Sequence, residues 1–482
     1  MVTMPDKHPM NRRDVLRYGA AALCNMFAER TMHALPSPRN PHPVQVHISN
    51  QVLGTIPRDF IGLGYEISSI AQSGLLTSAN RVYIQMVRNL GSAGVIRIGG
   101  NTSDYASYSP NGKAISMPKA TVVNRASLDQ LGSFLRATNW QLIWGLNLGS
   151  GTVANAVEEA QAVSATAKEK LLAFEIGNEV DLFSHEGHRH AGYTFADYLA
   201  DYRRDKAAIR ALLPNAPFAG PDAAFTNDWV AKFAAAEGHD LKLLTEHYYR
   251  AGQSPASSYQ MLFNLDPNLT RRLQSLQSTA AGAHLPYRIC ETNSFSGGGR
   301  PGVSGTFGAA LWVLDYMFTL ASAEASGVNI ETGVNQLGFI SSYSPIGDNL
   351  HGTYTAKPEY YGMLAFAQAA HGQRLAIEAQ TNNLNLTSYA VKSRHEIVAT
   401  LINKDNSTAS VEIRCDFRVS HASTQRLTAP ALESTDRITL AGSTVTPSGH
   451  WTPSQPESLR STQNTVSIQV PPYSAALVTL TT

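Results

Sequence analysis

Glu179 and Glu291 each close a run of apolar residues. Glu179 ends the segment Leu171-Leu172-Ala173-Phe174-Glu175-Ile176-Gly177-Asn178, and Glu291 follows Ile289-Cys290. A carboxylate is expensive to bury without partners, so two of them at the ends of strand-like runs suggest a use. Two facing carboxyl groups without a metal suit glycoside hydrolysis. One protonates the leaving oxygen, and the other attacks the anomeric carbon or activates water. Asn178 stands directly before the expected acid and is a candidate partner for the sugar hydroxyl next to the reacting carbon. Tyr248, in His247-Tyr248-Tyr249, is expected to donate to Glu291 and keep it ionised and aimed. Glu66 and Asp104 are candidates for holding sugar hydroxyls, with plain rim charges as the competing reading.

Positioning such groups requires a scaffold that brings distant strand ends together. Strand-like runs occur at Phe60–Ile67, Val95–Gly100, Gln141–Leu148, Leu171–Ile176, Pro217–Pro221, Leu241–Tyr249, Tyr287–Cys290 and Gln336–Tyr343. Helical periodicity lies between them at Asn80–Leu90, Ser127–Ala137, Val153–Lys168, Phe195–Leu213, Asp228–Ala236, Ser257–Gln277 and Gly305–Ala325. This alternation predicts an α/β fold, a (β/α)8 TIM barrel over residues 44–365, whose active site lies where the strands end. A doubly wound sheet is the rival, but no Gly-rich dinucleotide turn follows the first strand. Beyond about residue 366 helical periodicity gives way to short alternating runs at Leu384–Val391, Glu396–Ile402, Ser410–Cys415, Thr465–Val470 and Ala475–Leu480, which predict a C-terminal β-sandwich over residues 366–482. Val44–Ile48 alternates in the same way and can pair into that sandwich.

The chain has 482 residues, with 38 Lys+Arg against 37 Asp+Glu, so no whole-protein field calls for nucleic acid or an anionic membrane. Charged residues are 16% of the chain, below the roughly 25% of an average globular protein. At 43% hydrophobic the chain can bury a core. Three cysteines, Cys24, Cys290 and Cys415, exclude a disulfide scaffold and a Cys-rich zinc site. Asn11-Arg12-Arg13-Asp14 before the apolar stretch Tyr18–Phe27 reads as a bacterial twin-arginine export signal over residues 1–35, implying a periplasmic or extracellular protein. Leu23 before Cys24 is the wrong residue for a lipoprotein, so no membrane anchor is expected.

Phe174-Glu175-Ile176-Gly177-Asn178-Glu179-Val180-Asp181-Leu182-Phe183 resembles the acid/base segment of glycoside hydrolase family 79, the β-glucuronidase and heparanase family. Glu291-Thr292-Asn293-Ser294 followed by Gly297-Gly298-Gly299 resembles its nucleophile segment. His247-Tyr248-Tyr249, Gly99-Gly100-Asn101, Lys357-Pro358-Glu359-Tyr360-Tyr361-Gly362 and Pro471-Pro472-Tyr473-Ser474 resemble further segments of the family, so the likeness runs from about residue 44 to the C-terminus. It implies a barrel with a β-sandwich, net retention of configuration, Glu179 as acid/base and Glu291 as nucleophile. It also implies that a glucuronate carboxylate is held by backbone N–H groups at Gly297 and Gly298, with Tyr343 as the tyrosine from the end of the last strand. Ser296 stands where relatives place a tyrosine, a departure that bears on the uronate preference and not on hydrolysis.

Other signals carry less. His185-Glu186-Gly187-His188-Arg189-His190 has Arg189 where a zincin helix needs its second His, so a polar loop is expected and no metal site. Gly297-Gly298-Gly299 lacks the Lys-Ser/Thr of a phosphate loop. Strand alternation aims Cys290 away from the Glu291 side, as a buried structural thiol. The sequence therefore predicts an exported retaining β-glycosidase acting without a cofactor on a β-glucuronide. A neutral-sugar β-glycosidase on the same machinery and a non-catalytic carbohydrate-binding protein are the alternatives. The oligomeric state is not readable.

Overall fold

The computed structural model describes residues 43–113, 120–333, 337–394 and 396–482. The expected twin-arginine leader and Cys24 lie outside these residues, as does residue 336 of the run expected as the last barrel strand.

The described chain opens with β1 (Val44–Thr55), which belongs to the second sheet. Eight parallel strands then form a barrel: β2 (Ile61–Glu66), β3 (Val95–Gly99), β4 (Gln141–Leu146), β5 (Leu171–Ile176), β6 (Ala219–Ala223), β7 (Leu243–Gly252), β8 (Tyr287–Ser296) and β9 (Gly327–Glu331). Neighbours run β5-β4-β3-β2-β9-β8-β7-β6. The ring closes where Phe174 N–H donates to the Pro217 carbonyl at 2.9 Å. Around it lie α1 (Arg81–Leu90), α2 (Arg125–Thr138), α3 (Val153–Ala167), α4 (Phe195–Leu212), α5 (Asn227–Glu237), α6 (Pro267–Ala283), α7 (Phe307–Ser322) and α8 (Pro358–Ala369). Helix starts are fixed locally: the side chains of Asn80, Asn124, Thr152 and Thr194 each accept a backbone N–H three residues on.

Two expectations fail here. The last barrel strand is Gly327–Glu331, not Gln336–Tyr343, whose described part is a loop without a strand. The cause is Asn329, a polar residue in mid-strand. Its Nδ2 donates to the Leu63 and Val95 carbonyls at 3.1 and 2.9 Å, and its Oδ1 accepts from Arg288 Nε at 2.6 Å. A polar side chain satisfied inside the barrel conceals the strand from a search for apolar runs. The single helix expected over Ser257–Gln277 is two, Tyr259–Phe263 and α6, because Asp266 caps Asn268 N–H and Pro267 starts a new first turn.

The second sheet is antiparallel apart from one parallel pair. Its main strands are β10 (Gln373–Gln380), β11 (Leu386–Ser393), β12 (Glu396–Asn403), β13 (Ala409–Cys415), β14 (His421–Thr428), β15 (Thr465–Val470) and β16 (Ser474–Thr481). They are ordered β14-β16-β12-β11-β10-β1-β13-β15. β10 and β11 are paired only through Gln373–Lys392 and Arg374–Val391. At that narrow join the sheet curls over, making a sandwich whose interior holds Val46, Ile48, Leu401, Ile413 and Val478. β1 pairs antiparallel with β10 and parallel with β13, so the first described strand completes the C-terminal domain.

Candidate active site

A cavity of about 260 Å³ opens at the C-terminal ends of the barrel strands, lined by Glu66, Asn101, Glu179, Tyr249, Glu291, Ser296, Gly297, Gly298, Glu331, Gly333, Phe339 and Tyr343. A larger groove of about 640 Å³ lies at the other end of the barrel, by Leu171, Pro217 and Lys242, and no carboxylate lines it. The smaller cavity is therefore the candidate site.

Two bulges shape it. The β7–β8 and β8–β9 ladders both slip beside Ile289, so two successive residues, Cys290 and Glu291, turn into the barrel. This corrects the expectation for Cys290, which sits with Val95, Ile143, Ala173, Ala219 and Leu243 in the barrel interior, on the same side as Glu291. The β6–β7 ladder slips at Asp222, whose φ of 62° is left-handed. Glu179 has φ 50°, and its N–H donates to the Asp222 carbonyl at 2.8 Å. Non-glycine residues in this region cost of order 1–3 kcal/mol each and persist where the surroundings impose them.

Arg97, fully buried on β3, holds the acidic groups in place. Its guanidinium donates to Glu291 Oε2 at 2.7 Å, Asn178 Oδ1 at 2.8 Å, Asp222 Oδ2 at 2.5 Å and Glu175 Oε2 at 3.2 Å. Tyr249 O–H donates to the other Glu291 oxygen at 3.0 Å. His247 bridges the two halves: Nδ1 lies 3.1 Å from Glu179 Oε1 and Nε2 lies 2.7 Å from Asp222 Oδ1.

These contacts separate the two glutamates. Glu291 receives two donors, one of them cationic, which fix the direction of its carboxyl group. Burial raises the Glu179 pKa, Glu291 adds to the rise, and His247 opposes it. Burial acts to lower the His247 pKa, but Asp222 and Glu291 outweigh it and raise the imidazole well above its usual value. Against its own burial, Asp222 is held at about 2 by Arg97 and His247. Burial, then the charge of Glu291, pushes Glu66 up to about 7 against the N–H and O–H of Thr102, which donate to it at 2.8 and 2.6 Å.

Of the expected residues, Glu66, Glu179, Glu291, Ser296, Gly297, Gly298 and Tyr343 line the cavity. Asn178 lies just behind it, donating to Asn101 Oδ1 at 3.1 Å. Asp104 is buried away from the cavity and accepts the backbone N–H groups of Leu148, Gly149 and Asn178, which makes it a loop-positioning residue. Tyr248 is corrected to Tyr249. Because His247 points inward, alternation sends Tyr248 outward, where it donates to Asp266 Oδ2 at 2.6 Å and stacks on Tyr316. Arg97, Glu175, Asp222, His247 and Glu331 escaped the sequence reading. Arg97 and Glu175 were discoverable as charges inside otherwise apolar strands; Glu331 was lost with its strand.

Glu179, His247 and Glu291 offer one ligand atom each within 4.8 Å of one another. They fit a metal ion poorly, because Arg97 already supplies the positive charge on Glu291 and both His247 nitrogens have carboxylate partners.

A parallel eight-stranded barrel with clustered carboxyl groups at its mouth and an appended β-sandwich is an arrangement suited to glycoside hydrolysis. Residues 378–477 match the glycosyl hydrolase family 79 C-terminal beta domain. A β-glucuronidase of Aspergillus niger is 29% identical over 344 residues, covering 62% of this chain and 62% of that one. A β-glucuronidase of Neurospora crassa is 31% identical over 323 residues, covering 58% of this chain and 56% of that one. The chain thus spans about six-tenths of the length of these curated relatives. In fold, the 4-O-α-L-rhamnosyl-β-D-glucuronidase of Fusarium oxysporum superposes with a TM-score of 0.75 at 20% identity, covering 90% of this chain and 100% of that one. Over the C-terminal domain and about six-tenths of its length, the chain is thus similar to members of glycoside hydrolase family 79.

Proposed function

We propose that the protein is an exported, retaining β-glucuronidase that cleaves β-D-glucuronides by double displacement. Glu291 attacks the anomeric carbon while Glu179 protonates the departing oxygen; Glu179 then takes a proton from the water that releases the sugar. The observation that carries this reading is the placing of the two carboxyl groups. One oxygen of each lies within 4.8 Å of the other, close enough for both carboxyl groups to flank one glycosidic bond, as the short spacing of retaining enzymes requires. Arg97 and Tyr249 hold and aim the Glu291 carboxyl group, and burial favours a proton on Glu179. The glucuronidases among the relatives support the sugar class, and the backbone at Gly297 and Gly298, with φ 74° and 88°, offers N–H groups to a C6 carboxylate. Export rests on Arg12-Arg13 and the apolar stretch after them.

The test is a panel of p-nitrophenyl β-glycosides (glucuronide, glucoside, galactoside, xyloside), with proton NMR of the first-formed anomer. The glucuronide should be cleaved best, with retention. Ser296 in place of a family tyrosine favours one rival, a neutral-sugar β-glycosidase. Better cleavage of the glucoside would establish that rival and reject the uronate.

A further inference from the structure

Two cations beneath the cavity serve four carboxyl groups. Arg97 contacts Glu175, Asp222 and Glu291, and His247 contacts Asp222, Glu179 and Glu291. Double displacement needs Glu291 as a carboxylate and Glu179 as an acid. With Asp222 ionised and His247 charged, two anions then balance two cations. An ionised Glu175 would be a surplus charge on a side chain with no exposed surface, which is costly.

The geometry agrees with this count. Arg97 Nε reaches Glu175 Oε2 at 3.2 Å, while Nη2 reaches Asp222 Oδ2 at 2.5 Å. One guanidinium thus holds oxygens of two carboxyl groups, from β5 and β6, where its fork ordinarily takes both oxygens of one. Carboxyl groups this close do not both ionise; one keeps its proton and donates it to the other in a hydrogen bond. Glu175 and Asp222 are in such contact, and Asp222 is the acceptor. Asp222 also has the closer cationic donors, since His247 Nε2 lies 2.7 Å from its Oδ1. The second Glu175 oxygen, Oε1, meets no donor among the described residues, a poor setting for a carboxylate and a tolerable one for an acid. From Asp222 the contacts run through His247 to Glu179 and through Arg97 to Glu291, although Glu175 itself does not line the cavity.

Resting on the double-displacement reading above, we propose that Glu175 is a positioning residue: it stays a neutral acid whose O–H donates to Asp222, so that Asp222 holds His247 in place and the charge of Arg97 is left for Asp222 and Glu291. Without that donor, Asp222 draws harder on Arg97 and His247, and the grip on both glutamates of the cavity loosens.

The test compares wild type with Glu175→Gln and Glu175→Leu. The Gln side chain copies the neutral acid, its oxygen accepting from Arg97 and its N–H donating to Asp222; the Leu side chain does neither. Thermal melting establishes that each variant is folded at the assay temperature. With aryl β-glycosides, Glu175→Gln should keep kcat near the wild-type value. Glu175→Leu should lower kcat by about tenfold or more, the scale of one hydrogen bond lost at a charged group, with KM unchanged because Glu175 does not face the substrate. Infrared difference spectra of wild type against Glu175→Gln, at mildly acidic pH, should show the loss of a carboxylic-acid carbonyl band. Loss of carboxylate bands instead, a Gln variant as slow as the Leu variant, or a Leu variant changed only in KM would overturn the proposal. A wild type that hydrolyses none of the glycosides would reject the hydrolytic reading, and the positioning role would fall with it.

Discussion

Arg97 shows how one side chain sets the chemistry of several others. Its guanidinium touches Glu291, Asp222, Glu175 and Asn178 at once, so it fixes the Glu291 carboxyl group while the nearby acids compete for its charge. Glu175, buried and facing Asp222, rises to about 7, whereas Asp222 takes the short contacts and stays at about 2. On the double-displacement proposal, Glu291→Ala should abolish turnover, and added azide should restore it with an inverted product. Glu179→Ala should slow substrates with poor leaving groups by about 10²–10⁴-fold, and those with good ones far less. Equal losses across a series of aryl glycosides would contradict the acid role. His247 gives a pH test. Glu179 must carry its proton to act as an acid, so kcat/KM is retained below its pKa and lost as pH rises through it. The His247 charge lowers that pKa. His247→Asn should therefore move the alkaline fall to higher pH, and a fall that stays put or moves to lower pH would remove His247 from the control of Glu179.

The loop after β8 shows what an element adds to its residues. Gly297 and Gly298 both have left-handed φ, where alanine costs about 1–2 kcal/mol. A Cβ on Gly297 would meet nothing closer than Gln253 at 3.8 Å, whereas one on Gly298 would stand 2.5 Å from Phe339 Cζ. Gly297→Ala should thus show the backbone cost alone. Gly298→Ala should also displace the ring at the cavity mouth and raise KM for the glucuronide clearly more, a contrast that steady-state kinetics on the two variants checks. The same scale explains what was legible in the sequence. β2 to β8 are visible because each carries an apolar run, and Glu179 and Glu291 because they end two of them. β9 is concealed by Asn329, and Glu331 disappears with it. Tyr249 was passed over for Tyr248 because a bare sequence does not say which residue of His247-Tyr248-Tyr249 points inward; that is fixed by the His247 contacts to Asp222 and Glu179. Bulges are equally unreadable: nothing in Ile289-Cys290-Glu291 announces that two successive side chains face the same way.

At the scale of the whole described molecule, barrel and sandwich share one core. Val391, Ile402, Leu427, Leu440, Ala475 and Leu477 of the sandwich belong to the same buried cluster as Leu314, Phe318, Leu364 and Phe366 of α7 and α8. This is why those two helices are apolar on nearly every face, where the outer helices of a barrel ordinarily keep one face for solvent. The junction also has a polar tie. Asp315 on α7 accepts from Thr387 and Tyr389 of β11 at 2.6 and 2.8 Å and from Lys404 Nζ at 2.6 Å. Lys404 is 6% exposed and would be left nearly buried without its partner. Asp315→Ala should therefore destabilise the protein by about 2–3 kcal/mol, although Asp315 lies far from Glu179 and Glu291 in sequence and does not line their cavity. Because the shared cluster is continuous, the loss should appear as one earlier cooperative transition in calorimetry. It should not appear as an early sandwich transition followed by an unchanged barrel. Two separated transitions would mean that the barrel stands without the sandwich, and that the apolar faces of α7 and α8 have some other role than joining them.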